Sequence, residues 1–307
     1  MSTYALGHKV PDTDSISSAI ALAYLKTAIG EPTTAACLGE ISPEPQFVLD
    51  KFKLQAPEFK TNFAGENLYI VDHSDVLQGP DDLAQATILG IVDHHKLGDI
   101  TTSAPLECWI RPVGCTCTVI KNLFDFHGVE IPANIAGAML CAILSDTVIF
   151  KSPTCTTADL KVAEDLAKIA GVSDIKALGM EMFKVKSAVD GTPVRELVMR
   201  DFKDFKMGGN LVGIGQLEVV DLAIFDNMKS ELQADIAALK AEGNRHSVIL
   251  LLTDIMKEGS ELLVVSDDAQ LTEKAYGAAT VDGKVWIDGI MSRKKQVVPQ
   301  LEAVFGK

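Results

Sequence analysis

A chain of 307 residues, 47% apolar and 23% charged, is long enough for two domains of ordinary size, each with its own core, and has the composition of a soluble globular protein. Its 28 basic against 42 acidic residues leave a formal charge of −14 with no block of Lys or Arg, which argues against nucleic acid as a partner, because that affinity comes mainly from neutralising phosphates. The opening MSTYALGHK lacks the pattern of a signal peptide, and the apolar run Ile135 to Leu144 ends at Ser145-Asp146, too short to span a bilayer, so a cytoplasmic protein without membrane association is expected.

Tyr4-Ala5-Leu6 is predicted as a short strand and Ser15 to Thr27 as a helix. Leu68 to Val71 and Ile88 to Val92 follow as strands, then Cys117 to His127 and Ile135 to Leu144 as helices. Strands spaced by helices predict a parallel sheet with helices on both faces, a fold whose chemistry gathers beyond the carboxyl ends of the strands. From Val185 to Pro193 the periodicity breaks, and Asp190-Gly191 with Thr192-Pro193 reads as a turn and linker. Beyond it, Leu211 to Val220, Ser247 to Leu252, Glu261 to Val265 and Lys284 to Ile287 read as strands, with a helix from Asp226 to Glu242. Lys257-Glu258-Gly259-Ser260 reads as a hairpin turn, so a mixed sheet is expected in this smaller domain. The fold class is therefore α/β in two domains, 1–187 and 194–307, joined by a linker at 188–193 with Asp190-Gly191 as its hinge. The six cysteines, Cys37, Cys108, Cys115, Cys117, Cys141 and Cys155, lack metal-site spacing and are expected to be reduced and buried.

Four segments concentrate chemistry at these element ends. They are Gly7-His8-Lys9-Val10-Pro11-Asp12-Thr13-Asp14-Ser15, Val71-Asp72-His73-Ser74-Asp75, Val92-Asp93-His94-His95-Lys96 and Leu144-Ser145-Asp146-Thr147. Each has an innocent explanation: Asp14 or Ser15 as a helix N-cap, Asp75 as a turn residue, a lone His as a core or surface residue. Together they set four of the six histidines beside Asp at expected strand ends, a concentration that capping alone does not explain. Mixed imidazole and carboxylate donors suit Mn²⁺ or a similar transition ion better than Mg²⁺. Two such ions about 3.5–4 Å apart clamp an in-line displacement at phosphorus. A cationic site of that kind accepts a dense phosphate despite the acidic chain.

With Ser292-Arg293-Lys294-Lys295-Gln296 near the C-terminus, these motifs occur in the order seen in the DHH superfamily, and the chain resembles the manganese-dependent, family II inorganic pyrophosphatases from residue 7 onward. The resemblance implies that His8 and Asp12 bind one metal, that Asp14, His94 and Asp146 bind the other, and that Asp72 bridges both. It implies two Mn²⁺ per subunit, with Co²⁺ as a substitute and an additional Mg²⁺ arriving with substrate. His95 would contact phosphate and assist the leaving group, with Asp93 orienting it. Arg293 and Lys294 would bind phosphate from the second domain, joined by Lys203, for which Lys206 is the alternative. The active site would lie in the cleft between the domains, and the expected assembly is a homodimer. The implied reaction is attack of a metal-bridging hydroxide on pyrophosphate, giving two orthophosphates without a phosphoenzyme.

The competing reading is a DHH-type phosphodiesterase or exonuclease acting on short oligonucleotides or cyclic dinucleotides. Such enzymes carry a glycine-rich, His-containing motif in the second domain; Met207-Gly208-Gly209-Asn210 is the nearest approach here and has no His. A non-catalytic metal or phosphate sensor is disfavoured because no expected ligand position is substituted.

Overall fold

The chain divides into two units, Met1–Val185 and Lys186–Lys307, in a computed structural model that describes residues 1–189 and 191–306. Asp190, expected at the hinge, lies outside the described residues.

The first unit is built on strands β1 (Thr3–Leu6), β2 (Thr34–Cys37), β3 (Glu58–Phe59), β4 (Asn67–Val71), β5 (Thr87–Asp93) and β6 (Glu107–Ile110). They form one parallel sheet in the order β3-β2-β1-β4-β5-β6. Its helices are α1 (Thr13–Ala28), α2 (Pro43–Phe52), α3 (Thr116–His127), α4 (Ala133–Asp146), α5 (Thr157–Ala170) and α6 (Ile175–Lys186). Leu68, Tyr69, Ile70 and Val71 are all buried, as a strand covered on both faces requires. Ile135 to Leu144 are buried without interruption, so the apolar run is a core helix. Sheet order runs outward in both directions from the β1 and β4 pair, and that switch point is where a doubly wound sheet opens a crevice at its strand ends.

The second unit contains α7 (Val194–Met199), β7 (Phe202–Met207), β8 (Asn210–Val219), α8 (Lys229–Glu242), β9 (Ser247–Asp254), β10 (Gly259–Ser266), α9 (Leu271–Tyr276), β11 (Lys284–Asp288) and α10 (Val298–Phe305). Its sheet has the order β11-β10-β9-β8-β7 and is mixed, β8 and β9 being parallel and the other pairs antiparallel. One face carries a core with Leu197, Leu232, Ile236 and Leu250, and the other a core with Ile249, Leu251, Val297 and Leu301.

Boundaries differ from expectation at named places. The helix expected from Asp226 starts at Lys229, because Leu222–Phe225 forms a separate 3-10 turn capped by Asp221. The expected hairpin closes earlier: Glu258 takes a left-handed φ of 57°, and Gly259 and Ser260 already pair within β10. Cys108 is exposed, unlike the other cysteines. Among the described residues no helix is long and apolar enough to cross a membrane.

Candidate metal centre and phosphate-binding cations

The β1 to α1 turn carries His8, Asp12 and Asp14. Gly7 leaves no room for a Cβ against Ser15, whose Oγ accepts the His8 N–H at 3.0 Å. The cap of α1 is Asp12, which accepts the Ser15 N–H at 2.9 Å, so the innocent reading of Asp14 or Ser15 as that cap does not hold. Asp14 is turned inward and fully buried. It accepts N–H bonds from Thr116 at 2.7 Å and Cys117 at 3.1 Å, and the Ser18 hydroxyl at 2.9 Å. A carboxylate in that place meets the positive amino end of α3.

Asp72 leaves β4 with φ at 64°, a left-handed conformation that costs an L-residue about 1–2 kcal/mol and is retained mainly at functional sites. Its Oδ2 lies 3.3 Å from His8 Nε2 and its Oδ1 3.6 Å from His94 Nε2. His94 is oriented by Nδ1, which donates to the Val113 carbonyl at 3.1 Å, and its Nε2 lies 3.8 Å from Asp146 at the end of α4. Among the described residues the donor groups include His8 with Asp12 and Asp72, Asp14 with His94 and Asp146, and Asp72 with His94 and His95, each with its ligand atoms within 4.8 Å of one another.

His95 is held differently. Asp93 Oδ1 accepts from its Nδ1 at 2.9 Å, and from the backbone N–H groups of His94 at 2.8 Å and His95 at 3.0 Å. Asp72 Oδ1 is farther from that nitrogen, at 3.7 Å, so the Nδ1 proton belongs to Asp93. The His95 side chain is 36% exposed where that of His94 is 12%, which leaves Nε2 of His95 as the nitrogen available to a ligand. His73 is buried, with Nδ1 donating to the Val71 carbonyl at 3.0 Å. Burial pushes its pKa down to about 4, so it is neutral.

Crowding shapes the electrostatics. Burial first, then the charges of Asp14 and Asp12, push Asp72 well above the ordinary carboxylate range. Burial and the same neighbours, with Asp72, do so for Asp146. Burial opposes the charge of Asp14 too, but His94 and the Thr116 N–H help to hold it low. Burial works against protonation of His8, yet Asp12 and Asp72 together raise it well above the usual imidazole value. Burial and the neighbouring His95 lower His94. Divalent cations would relieve this repulsion between carboxylates, and the mixture of imidazole nitrogen and carboxylate oxygen suits transition ions. Cys115 and Cys117 come within reach of Asp14, but burial pushes Cys115 well up and Cys117 to about 11. Both therefore stay thiols at neutral pH, and the thiolate is the ligating form.

In the second unit, Arg293 opens a π-helical turn, Arg293–Val297, capped by Ser292. Its guanidinium donates to Asp201 Oδ1 at 2.7 Å, to the Asp201 carbonyl at 2.6 Å and to the Ile214 carbonyl at 3.2 Å. Gln216 accepts the Arg293 N–H at 3.2 Å. Lys294 beside it is exposed, as are Lys203 and Lys206 on β7. Alternation along a strand sets those two lysines on opposite faces. Lys203 shares its face with Phe205 and Met207, which pack in the same core as Ile290 and Val297. Lys206 shares its face with Phe202, which packs against the other core.

The sequence reading missed Thr116, Ser18, the Val113 carbonyl, Asp201 and Gln216. Gly114-Cys115-Thr116 before a helix was an available signal for an anion-binding helix start. Nothing in the sequence marks the Val113 carbonyl or Gln216.

Residues 2–143 match the DHH family, N-terminal domain, and residues 180–304 match the DHHA2 domain. A protein of Archaeoglobus fulgidus, named a probable manganese-dependent inorganic pyrophosphatase, is 48% identical over 99% of this chain and 98% of its own. The manganese-dependent inorganic pyrophosphatase of Methanocaldococcus jannaschii is 43% identical over 98% of this chain and 99% of its own. A crystal structure from Methanococcus jannaschii, assigned to the family II inorganic pyrophosphatases, superposes with a TM-score of 0.84 at 43% identity, covering 99% of this chain and 100% of the other. On this similarity over nearly its whole length, the chain belongs to the manganese-dependent, family II inorganic pyrophosphatases of the DHH superfamily.

Proposed function

We propose that the chain hydrolyses inorganic pyrophosphate to two orthophosphates at a centre of two divalent cations, with Mn²⁺ preferred. The observation that carries this reading is Asp72, which presents one carboxylate oxygen toward His8 and the other toward His94. His8 and Asp12 hold one cation, Asp14, His94 and Asp146 hold the other, and Asp72 serves both. Co²⁺ replaces Mn²⁺, and an Mg²⁺ accompanies the substrate. Bound there, the pair supplies a hydroxide nucleophile at neutral pH and charge to offset the phosphate oxygens.

The side chains do the rest. His95, fixed through Nδ1 on Asp93, presents Nε2 to the substrate, and its imidazolium donates a proton to the departing phosphate. Asp93 stabilises that cation. Arg293, Lys294 and Lys203 bind phosphate oxygens as charge develops on them. Lys203 is preferred over Lys206 because it pairs with Ile214 on β8, the residue whose carbonyl Arg293 engages, and lies on the sheet face that packs with the Arg293 turn. The division of labour assigns metals to residues before the 188–193 linker and cationic phosphate ligands to residues after it. A cytoplasmic homodimer accompanies this reading, supported by the resemblance alone.

Phosphate release from pyrophosphate, ATP and a linear dinucleotide after preincubation with Mn²⁺ or Mg²⁺ tests the reading. Pyrophosphate with Mn²⁺ should be turned over far faster than the other combinations. Preferential cleavage of the dinucleotide would make the chain a phosphodiesterase instead.

A further inference from the structure

Asp159 has no place among the ligands or substrate contacts above, yet it is a fully buried carboxylate with donors on two sides. One side is local: Oδ2 accepts the Thr156 N–H at 2.8 Å while the Asp159 N–H donates to Thr156 Oγ1 at 3.4 Å, the capping box of α5, and Oδ2 also accepts the Thr156 hydroxyl at 2.6 Å. A cap needs no more than that. The other side is distant in sequence, with the Gly114 N–H donating to Oδ2 at 2.9 Å and the Thr118 hydroxyl to Oδ1 at 2.6 Å.

Between and beside those two anchors lie the groups that orient three of the assigned ligands. The N–H groups of Thr116 and Cys117 hold Asp14, the Thr116 hydroxyl donates to Asp72 Oδ1 at 3.1 Å, and the Val113 carbonyl accepts from His94 Nδ1. Glycine is required at 114 because a Cβ there would sit 2.7 Å from Thr147 Cγ2 and 2.9 Å from Asp159 Oδ2, and Thr147 directly follows Asp146. The turn is thus clamped between the end of α4 and the start of α5.

We propose that Asp159 is a positioning residue of the metal centre, fixing the turn from Val113 to Thr118 and, through it, Asp14, Asp72 and His94. The inference rests on the assignment of that cluster as the metal centre. Groups that orient metal ligands typically change affinity by about 10–100-fold when removed. Asp159 acts one bond farther out and reaches three ligands together, so the lower end of that range is expected.

The test is Mn²⁺ titration of the dialysed full-length chain by calorimetry and electron paramagnetic resonance, below the melting temperature of each metal-free form. Asp159→Asn preserves size but removes the charge; with its oxygen kept toward the Gly114 and Thr156 N–H groups, its amide N–H meets the Thr118 hydroxyl, which must turn from donor to acceptor. It should bind Mn²⁺ about 10-fold more weakly and give an altered spectrum. Thr118→Val removes one anchor and should shift both readouts in the same direction. Thr156→Ala weakens the cap and removes one local bond to Asp159 but leaves the bonds from Gly114 and Thr118 in place, so it should melt lower and bind close to the parent. If Asp159→Asn does not fold, the contrast between Thr118→Val and Thr156→Ala decides. Lower melting temperatures with parental affinity and spectrum in Asp159→Asn, or in Thr118→Val where it alone folds, would overturn the proposal and make Asp159 a structural cap. Absence of Mn²⁺ binding by the parent chain would instead overturn the metal-centre reading and this inference with it.

Discussion

The Nδ1 of His95 donates to Asp93 Oδ1 at 2.9 Å, while the adjacent His94 commits its own Nδ1 to the Val113 carbonyl. Neighbours in sequence, the two rings are anchored to different partners, and the proposed function gives them different tasks. His94→Gln should therefore weaken Mn²⁺ binding by at least about 10-fold. His95→Gln should keep its metals and lose turnover by about 10²–10⁴-fold, the usual range for a general acid or base. Metal content and turnover measured together check this, and equal metal loss in both variants would contradict it.

Metal preference follows from the donor types. With His8 and His94 proposed as ligands, Mn²⁺ and Co²⁺ should bind more tightly and activate better than Mg²⁺. The check is activity after exhaustive chelation and reloading with single metals. Full activity with Mg²⁺ as the only cation would contradict it.

The two faces of β7 separate its lysines. Lys203→Ala should lower kcat/KM for pyrophosphate by about 10–100-fold, as expected for a charged hydrogen bond, while Lys206→Ala should stay close to the parent. Steady-state kinetics of the two variants decide it, and a reversed order would assign the phosphate contact to the other face.

Much of the first domain and its cluster was legible because its signals are local. A strand ending in Asp-His, or an apolar helix ending in Ser-Asp, marks both an element and a candidate ligand within a few residues. What stayed hidden depends on long-range contact. Thr34–Cys37 and Glu107–Ile110 are strands of four residues with incomplete burial, too short to show a pattern of their own and defined by pairing with β1 and β5. Phe202–Met207 forms β7 although Lys203, Asp204 and Lys206 give it the look of a loop. Asp159 drew no reading from the sequence, where it is one acid in the first turn of α5, and its bonds to Gly114 and Thr118 exist only once α3 and α5 are packed together.

One prediction concerns stability. Lys26 is buried with Nζ 2.5 Å from Glu107, 3.5 Å from Glu31 and 4.4 Å from the Tyr69 ring centre. Burial opposes ionisation of both partners, but Glu107 keeps Lys26 raised and Lys26 keeps Glu107 lowered. A lowered Glu107 contributes stability above its unfolded value and loses it as pH falls through the lowered folded value. A raised Lys26 contributes below its unfolded value and loses it as pH rises through the raised one. Lys26→Met should cost about 2 kcal/mol at neutral pH, between the values for exposed and fully buried pairs, and less in acid, where Glu107 is protonated. Denaturant unfolding at both pH values checks this; a penalty independent of pH would contradict it.

The central claim is that Asp72 joins two cation sites into one centre. Asp72→Asn removes charge that both sites share, so metal affinity and pyrophosphate turnover should fall together while the fold persists. The most direct measurement is the Mn²⁺ stoichiometry and magnetic coupling of the parent chain and Asp72→Asn by electron paramagnetic resonance. The parent should bind two Mn²⁺ per chain with a spin-coupled spectrum, and Asp72→Asn should lose that coupling. A parent chain that binds a single uncoupled Mn²⁺, or an Asp72→Asn variant that keeps coupling and turnover intact, would contradict the account.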